Sequence, residues 1–283
     1  MVFFLTSCEI LSIPLFPDQS KEFSPDVLTM TQSWKTSKKD SEKWDFSGSI
    51  LEHKEQKDSS FQTGTLLLET QQVQKKEGKK YIALSFDDGP GKKTTPWVLD
   101  ILQKYKIHAT FYILWVNAQY YPDILKRTYE EGHEIGNHSW DHQNFLSLDE
   151  TGVLDQIKKT DDIVRETIGV TPTTLRPPYG NYNKQVSVIA QRPIILWNVD
   201  SFDWRNKKVD SNIANTLGQA KDGAIILMHD IHQASLDSLE TIIQELQKQD
   251  YEFVTVSELL ELYQTEQYIQ KMCSSGYTCK EIP

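Results

Sequence analysis

Two carboxylates stand side by side where a short apolar run stops: Tyr81-Ile-Ala-Leu-Ser-Phe86 is followed by Asp87-Asp88-Gly89-Pro90. Neighbouring side chains of a strand point to opposite faces, so Asp87 and Asp88 reach one site only where the strand ends and turns. The Gly-Pro pair supplies that turn signal. Such a pair can provide a metal ligand or a general base, and the same residues also read as plain loop punctuation. Further along, His138-Ser-Trp-Asp-His142 carries two imidazoles at i and i+4. On a helical turn these share one side and suit a single metal ion. Ser139 stands where the zinc-protease motif has its catalytic Glu, so the chemistry differs from theirs. Three more polar sets follow apolar stretches: Arg176-Pro-Pro-Tyr179-Gly180, Asp200-Ser-Phe-Asp203-Trp204 and Leu227-Met-His229-Asp230. Each alone has a structural reading, as a rigid loop, a helix cap beside a core Trp, and a hydrogen-bonded strand end.

The elements that must position these sets begin near residue 79. Strand-length apolar runs are expected at Tyr81 to Phe86, Ala109 to Leu114, Glu134 to Asn137, Thr173 to Leu175, Ile194 to Val199, Ala224 to Met228 and Glu252 to Val256. Between them, Leu154, Ile157, Val164 and Ile168 recur on one helical face, as do Leu236, Leu239, Ile243 and Leu246. Alternation of strands and helices implies a parallel sheet, and about seven such units suit an incomplete (β/α) barrel better than the alternative, an open sheet. In a barrel the chemistry gathers at the C-terminal strand ends. All five polar sets fall there.

The composition narrows the partners. The chain has 283 residues, three cysteines and a formal net charge of -10. That charge argues against nucleic acid or an anionic membrane surface as the main partner. No apolar run approaches the 18 or so residues of a membrane span. Residues 1–8, ending Leu5-Thr-Ser-Cys8, read as the remnant of a signal peptide with a lipobox, so acylation of Cys8 is expected. Residues 9–78 are polar and weakly periodic and read as a partly disordered spacer, with one strand-like stretch at Gly64 to Thr70. The catalytic domain is expected over 79–268, and a tail over 269–283 holds Cys273 and Cys279, close enough in sequence for a disulfide in an oxidising compartment.

Taken in order, the five sets resemble the motifs of the polysaccharide deacetylases, the NodB homology domain of the family-four carbohydrate esterases. The resemblance spans about residues 79–263, with Ser85 where Thr is usual. It implies a distorted (β/α) barrel of seven or eight strands and a divalent metal, commonly Zn2+ with Co2+ an alternative, held by Asp88, His138 and His142. It also implies Asp87 as general base with Arg176 as its partner, His229 as general acid, and Asp200 as the carboxylate that orients His229. Tyr179 would contribute an oxyanion-hole N–H and Trp204 a wall for the acetyl methyl, with Pro177 and Leu227 also lining the substrate. The implied reaction is removal of acetyl groups from N-acetylglucosamine in a polysaccharide, with cell-wall peptidoglycan of a Gram-positive bacterium favoured by the Asp200 to Trp204 and His229 to His232 segments. Chitooligosaccharide, an N-acetylglucosamine exopolysaccharide and O-acetylated xylan are the alternative substrates. A carbohydrate-binding protein that has lost the reaction is the alternative of another class. An extracytoplasmic monomer is expected, and His108, His133 and His232 receive no role.

Overall fold

Tyr81 to Asp87 is buried at every position, which marks a strand covered on both faces. In the computed structural model this is β1 (Lys80–Asp87), the strand around which the sheet is built. The structure describes residues 75–263; the expected acylation site at Cys8, the stretch Gly64 to Thr70 and the Cys273/Cys279 pair lie outside the described residues. The chain divides between residues 67 and 68, and everything described belongs to the unit 68–283.

After β1 the described elements run α1 (Thr94–Tyr105), β2 (Thr110–Ile113), α2 (Trp115–Tyr120), α3 (Pro122–Glu130), β3 (Glu134–Asn137), α4 (Glu150–Ile168) and α5 (Lys184–Ala190). They continue with β4 (Val199–Asp200), α6 (Asp203–Asn206), α7 (Val209–Gln219), β5 (Ala224–His229), α8 (Gln233–Lys248), β6 (Tyr251–Val254) and α9 (Val256–Leu262). The sheet order is β3-β2-β1-β5-β4, all parallel, and β6 pairs with the first half of β1 while β2 pairs with its last residues. Beyond β3 the ring continues through single bridges, Asn137 to Leu175 and Leu175 to Ile194, and returns to β5 where Val199 pairs with Ile226. The result is the expected distorted (β/α) barrel.

Alternation along β1 sorts its side chains. Ile82, Leu84 and Phe86 join Val98, Leu99, Phe111, Leu239 and Ile243 in the core between strands and helices. Tyr81 and Ala83 pack with Tyr112, Ile195 and Ile225 in the barrel interior, and Ser85 and Asp87 continue that inward row. Truncating a fully buried residue of the outer core, such as Leu239, to Ala would cost about 2–5 kcal/mol.

Three expectations need correction. The segments Thr173 to Leu175 and Ile194 to Val199 do not form full strands. Pro172, Pro177 and Pro193 lack donors for a ladder, and the second segment changes partner midway, bonding Leu175 through Ile195 N–H and β5 through Asn198 N–H. Leu154 is 49% exposed, so it is not on the buried face of α4. That face instead carries Val153, Gln156, Ile157, Thr160, Asp161 and Val164, two of them large polar residues. The last strand stops at Val254, because Thr255 caps α9 in a reciprocal capping box with Glu258. Leu236, Leu239, Ile243 and Leu246 are buried on α8 as their spacing requires. Among the described residues no helix is long and apolar enough to cross a membrane.

Candidate active site and metal centre

The register of β1 sets Asp87 level with Tyr112 of β2 and His229 of β5. Alternation alone would turn Asp88 away from the interior. Its backbone instead takes a left-handed conformation, φ 74°, which swings the side chain back beside that of Asp87. The Gly89-Pro90 peptide that follows is cis. The turn is fastened by Leu114 N–H to the Gly89 carbonyl at 3.1 Å and by the Asn117 amide to the Asp88 carbonyl at 2.6 Å. Gly89 is required by close approach, because a Cβ there would lie 2.6 Å from Oδ1 of buried Asp230.

Arg176 is the largest fully buried side chain among the described residues. Its Nη1 donates to Asp87 Oδ1 at 2.7 Å and to Ser85 Oγ at 2.8 Å, and its other nitrogens donate to the carbonyls of Ile195 and Leu196 at 3.3 and 3.2 Å. Its guanidinium carbon lies 4.1 Å from the centre of the Tyr112 ring. A cation taken so far from water is tolerable only with its donors satisfied in this way.

His138 Nδ1 lies 2.6 Å from the Arg176 carbonyl, so that nitrogen carries the proton and Nε2 presents its lone pair inward. Nε2 is 3.5 Å from Asp88 Oδ1 and 3.6 Å from Asp87 Oδ2, and His142 Nε2 is also 3.5 Å from Asp88 Oδ1. The ligand atoms of Asp88, His138 and His142 all lie within 4.8 Å of one another, and Asp88 Oδ1 is buried with no hydrogen-bond partner. One carboxylate oxygen and two imidazole nitrogens around an orphaned acceptor fit a divalent cation with positions left open for water and substrate. Burial, then the neighbouring His138, lowers the His142 pKa and favours the neutral imidazole that a metal needs. The two histidines are not on a helical turn, as their spacing had suggested. The segment is irregular, with left-handed φ values of 89° at Ser139 and 66° at His142.

Across the site, His229 Nδ1 lies 2.8 Å from Asp203 Oδ1, and its backbone N–H donates to Asp203 Oδ2 at 2.7 Å. Ser235 Oγ also donates to Asp203 Oδ2. Burial pulls the His229 pKa down, but the bond and charge of Asp203, with Asp87 and Asp88 adding, raise it to about 9. Asp200 is not the residue that orients His229. It caps a local turn by accepting from Phe202 N–H at 2.7 Å, while Asp203, fully buried at the start of α6, faces the imidazole. Both Asp residues of Asp-x-x-Asp were visible in the sequence, but spacing does not say which one turns inward. Ser235 and Asn117 gave no signal at all.

The remaining expected residues adjoin the residues just described in sequence or in the sheet. The Tyr179 ring stands edge-on to His142 at 4.6 Å with its backbone at φ 61°, and the side chain is 62% exposed. Trp204 is half-exposed beside Phe202, Pro177 is buried next to Arg176 in the chain, and Leu227 is buried on the inward row of β5. His232 lies 5.7 Å from the His229 ring. His133 is a core residue whose Nδ1 accepts from Ala109 N–H, and burial lowers its pKa to about 4.

Residues 74–193 match the family described as Polysaccharide deacetylase. The peptidoglycan-N-acetylglucosamine deacetylase PgdA of Listeria monocytogenes is 45% identical over 188 residues, covering 66% of this chain and 40% of that protein. PdaC of Bacillus subtilis, a peptidoglycan-N-acetylmuramic acid deacetylase, is 44% identical over 184 residues, 65% of this chain and 39% of its own length. Its solved structure matches with a TM-score of 0.65 at 43% identity, covering 67% of this chain and 94% of that one. This chain therefore spans about two fifths of the length of those two curated relatives. A peptidoglycan-N-acetylglucosamine deacetylase of Bacillus cereus is 39% identical over 194 residues, 64% of this chain and 89% of that protein. With a site built from the motif residues and the Bacillus cereus relative covered over 89% of its length, the chain belongs to the polysaccharide deacetylase family.

Proposed function

We propose that the chain is a metal-dependent hydrolase that removes the acetyl group from N-acetylglucosamine residues of peptidoglycan. The observation that carries this reading is one end of the sheet holding three metal-type ligands, a carboxylate paired with a buried Arg, and an imidazole paired with a buried carboxylate. When bound by Asp88, His138 and His142, a divalent cation, Zn2+ by its ligand set, supplies Lewis-acid polarisation of the acyl oxygen and a low-pKa water. Asp87, fixed by Arg176, takes the proton from the attacking water. His229, kept protonated by Asp203, gives its proton to the departing amine. The acid and base are held apart because one carboxylate faces a cation and the imidazole faces an anion. The backbone N–H of Tyr179 donates to the developing oxyanion, and Trp204 with Pro177 and Leu227 walls the acyl group.

The names of the Listeria and Bacillus cereus relatives support N-acetylglucosamine as the sugar. The name of PdaC favours N-acetylmuramic acid as a second reading. Acylation of Cys8 in an extracytoplasmic, monomeric protein belongs to the same proposal; Cys8→Ala then shifts the protein from membranes to the soluble fraction, and unchanged fractionation removes the anchor.

Acetate release from peptidoglycan, N-acetylglucosamine oligomers and acetylxylan, with mass spectrometry of the modified sugar, tests the activity and names the substrate. No release with added Zn2+ or Co2+ overturns it. Asp88→Ala, His138→Ala and His142→Ala are expected to lose metal, whereas Asp87→Asn keeps metal and loses turnover by about 100-fold or more. Equal metal loss in all four variants would show that the roles of the two Asp are misassigned.

A further inference from the structure

The segment that carries both candidate His ligands continues the sheet only at His138, whose N–H donates to the Ile113 carbonyl at 3.0 Å; beyond it the Ser139 and Trp140 carbonyls accept from Trp115 and Val116 N–H at 3.2 and 3.1 Å. From Ser139 to His142, every backbone N–H is accepted by a side chain. Ser139 N–H goes to Asn137 Oδ1 at 2.8 Å, Trp140 and Asp141 N–H both go to Gln156 Oε1 at 2.9 and 3.3 Å, and His142 N–H goes to Ser139 Oγ at 3.0 Å. The segment also has two non-glycine residues at left-handed φ, which persist only when the surroundings over-determine them.

The carbonyls of the segment are held by α2, and two buried amides hold its N–H groups. Gln156, 3% exposed on the inward face of α4, occupies a position where packing alone would call for an apolar residue. Besides accepting two N–H groups, it donates from Nε2 to Asp141 Oδ1 at 2.7 Å. Its orientation is unambiguous, since the N–H groups only donate and the carboxylate only accepts. Asn137, fully buried at the end of β3, donates to the Ile157 carbonyl and to Asp161 Oδ1, both at 2.8 Å. Asp161 is in turn held by Arg192, whose Nη1 also reaches the Pro172 carbonyl. Both amides thus tie the His138 to His142 segment to α4.

We propose that Gln156, together with Asn137, is a positioning residue for the metal centre, holding the strained His138–His142 segment so that both imidazoles converge on Asp88. The inference rests on the metal-ligand reading above and is independent of the substrate. The second coordination sphere here is a pair of amides acting on the backbone between the ligands. Loss of such outer partners typically weakens metal binding by about 10- to 100-fold.

The test is Zn2+ titration of the full chain against a chromophoric chelator, with thermal melts of the metal-free proteins alongside. Gln156→Leu is expected to bind Zn2+ at least about 10-fold more weakly. Gln156→Glu keeps the acceptor but sets a second carboxylate against Asp141, so it also weakens binding. Combining it with Asp141→Asn restores the donor-acceptor match and is expected to recover most of the affinity. If Gln156→Leu does not fold, the Gln156→Glu pair of variants decides. Variants that melt earlier without metal yet bind Zn2+ within twofold of the parent have lost only structure, and that result overturns the proposal. Failure of Asp141→Asn to improve on Gln156→Glu alone overturns it too. A parent protein that binds no Zn2+, or binds it equally after Asp88→Ala, brings down the metal reading itself.

Discussion

His229 is the residue whose chemistry depends most on its neighbours. Its pKa rises from 6.5 to about 9 because Asp203 and the paired carboxylates outweigh burial. A raised folded-state pKa contributes stability that is complete below pH 6.5 and lost as pH rises through about 9. Melts of the metal-free protein are therefore expected to show a Tm falling across that window, and Asp203→Asn should flatten the fall. Ligation of a cation by Asp88 would offset the carboxylate charges, so in the loaded enzyme the alkaline limb of the pH–rate profile is expected to lie lower. Asp203→Asn is expected to move that limb to still lower pH and to reduce kcat by about 100-fold or more. An unshifted limb would mean that Asp203 does not tune the acid. At this scale the sequence showed residue types well and partners badly: Asp87, Asp88, His138, His142, Arg176 and His229 stand together as their motifs implied, whereas Asp203 replaces Asp200 because only the turn entering α6 decides which carboxylate faces inward.

At the scale of elements, the site depends on strands approaching one another closely. Gly136 in β3 lies against the Tyr112 ring of β2, and a Cβ there would come within 2.5 Å of it. Gly136→Ala is expected to push Tyr112 off the Arg176 guanidinium, destabilising the protein by about 1–3 kcal/mol and loosening Arg176 from Asp87. A Tm and turnover equal to the parent would argue against that coupling. Gly89→Ala acts at the other strand end, driving a methyl into the Asp230 carboxyl, and should cost at least as much in Tm while also weakening metal binding through Asp88. Strands β1, β2, β3, β5 and β6 and the face of α8 were legible from periodicity. The bridges at Leu175 and Ile194 were not, since prolines and a change of partner cut short what reads as ordinary apolar strand. On α4, Gln156 and Asp161 break the apolar stripe, and only their contacts with the His138–His142 segment and Asn137 explain why they are buried.

On the scale of the whole molecule, the core, the sheet and every site residue belong to the unit 68–283. A protein trimmed to that unit is expected to unfold in one cooperative transition and to keep the Zn2+ affinity of the full chain. Circular dichroism melts and a chelator titration check both, and a broad non-cooperative melt would show that the missing residues are needed for folding. The net charge of -10 disfavours polyanions as partners without selecting among neutral glycans.

The sequence by itself determined the five motifs on which the resemblance to the polysaccharide deacetylases rests, and the alternation of strands and helices that brings strand ends together. It could not determine which way each side chain turns. The inward swing of Asp88, the choice of Asp203 over Asp200 and the amide clamp from Asn137 and Gln156 were decided only by the tertiary structure. The physical reason is that left-handed backbone and buried hydrogen bonds are set by contacts between segments far apart in the chain, and no local pattern of residue types encodes them.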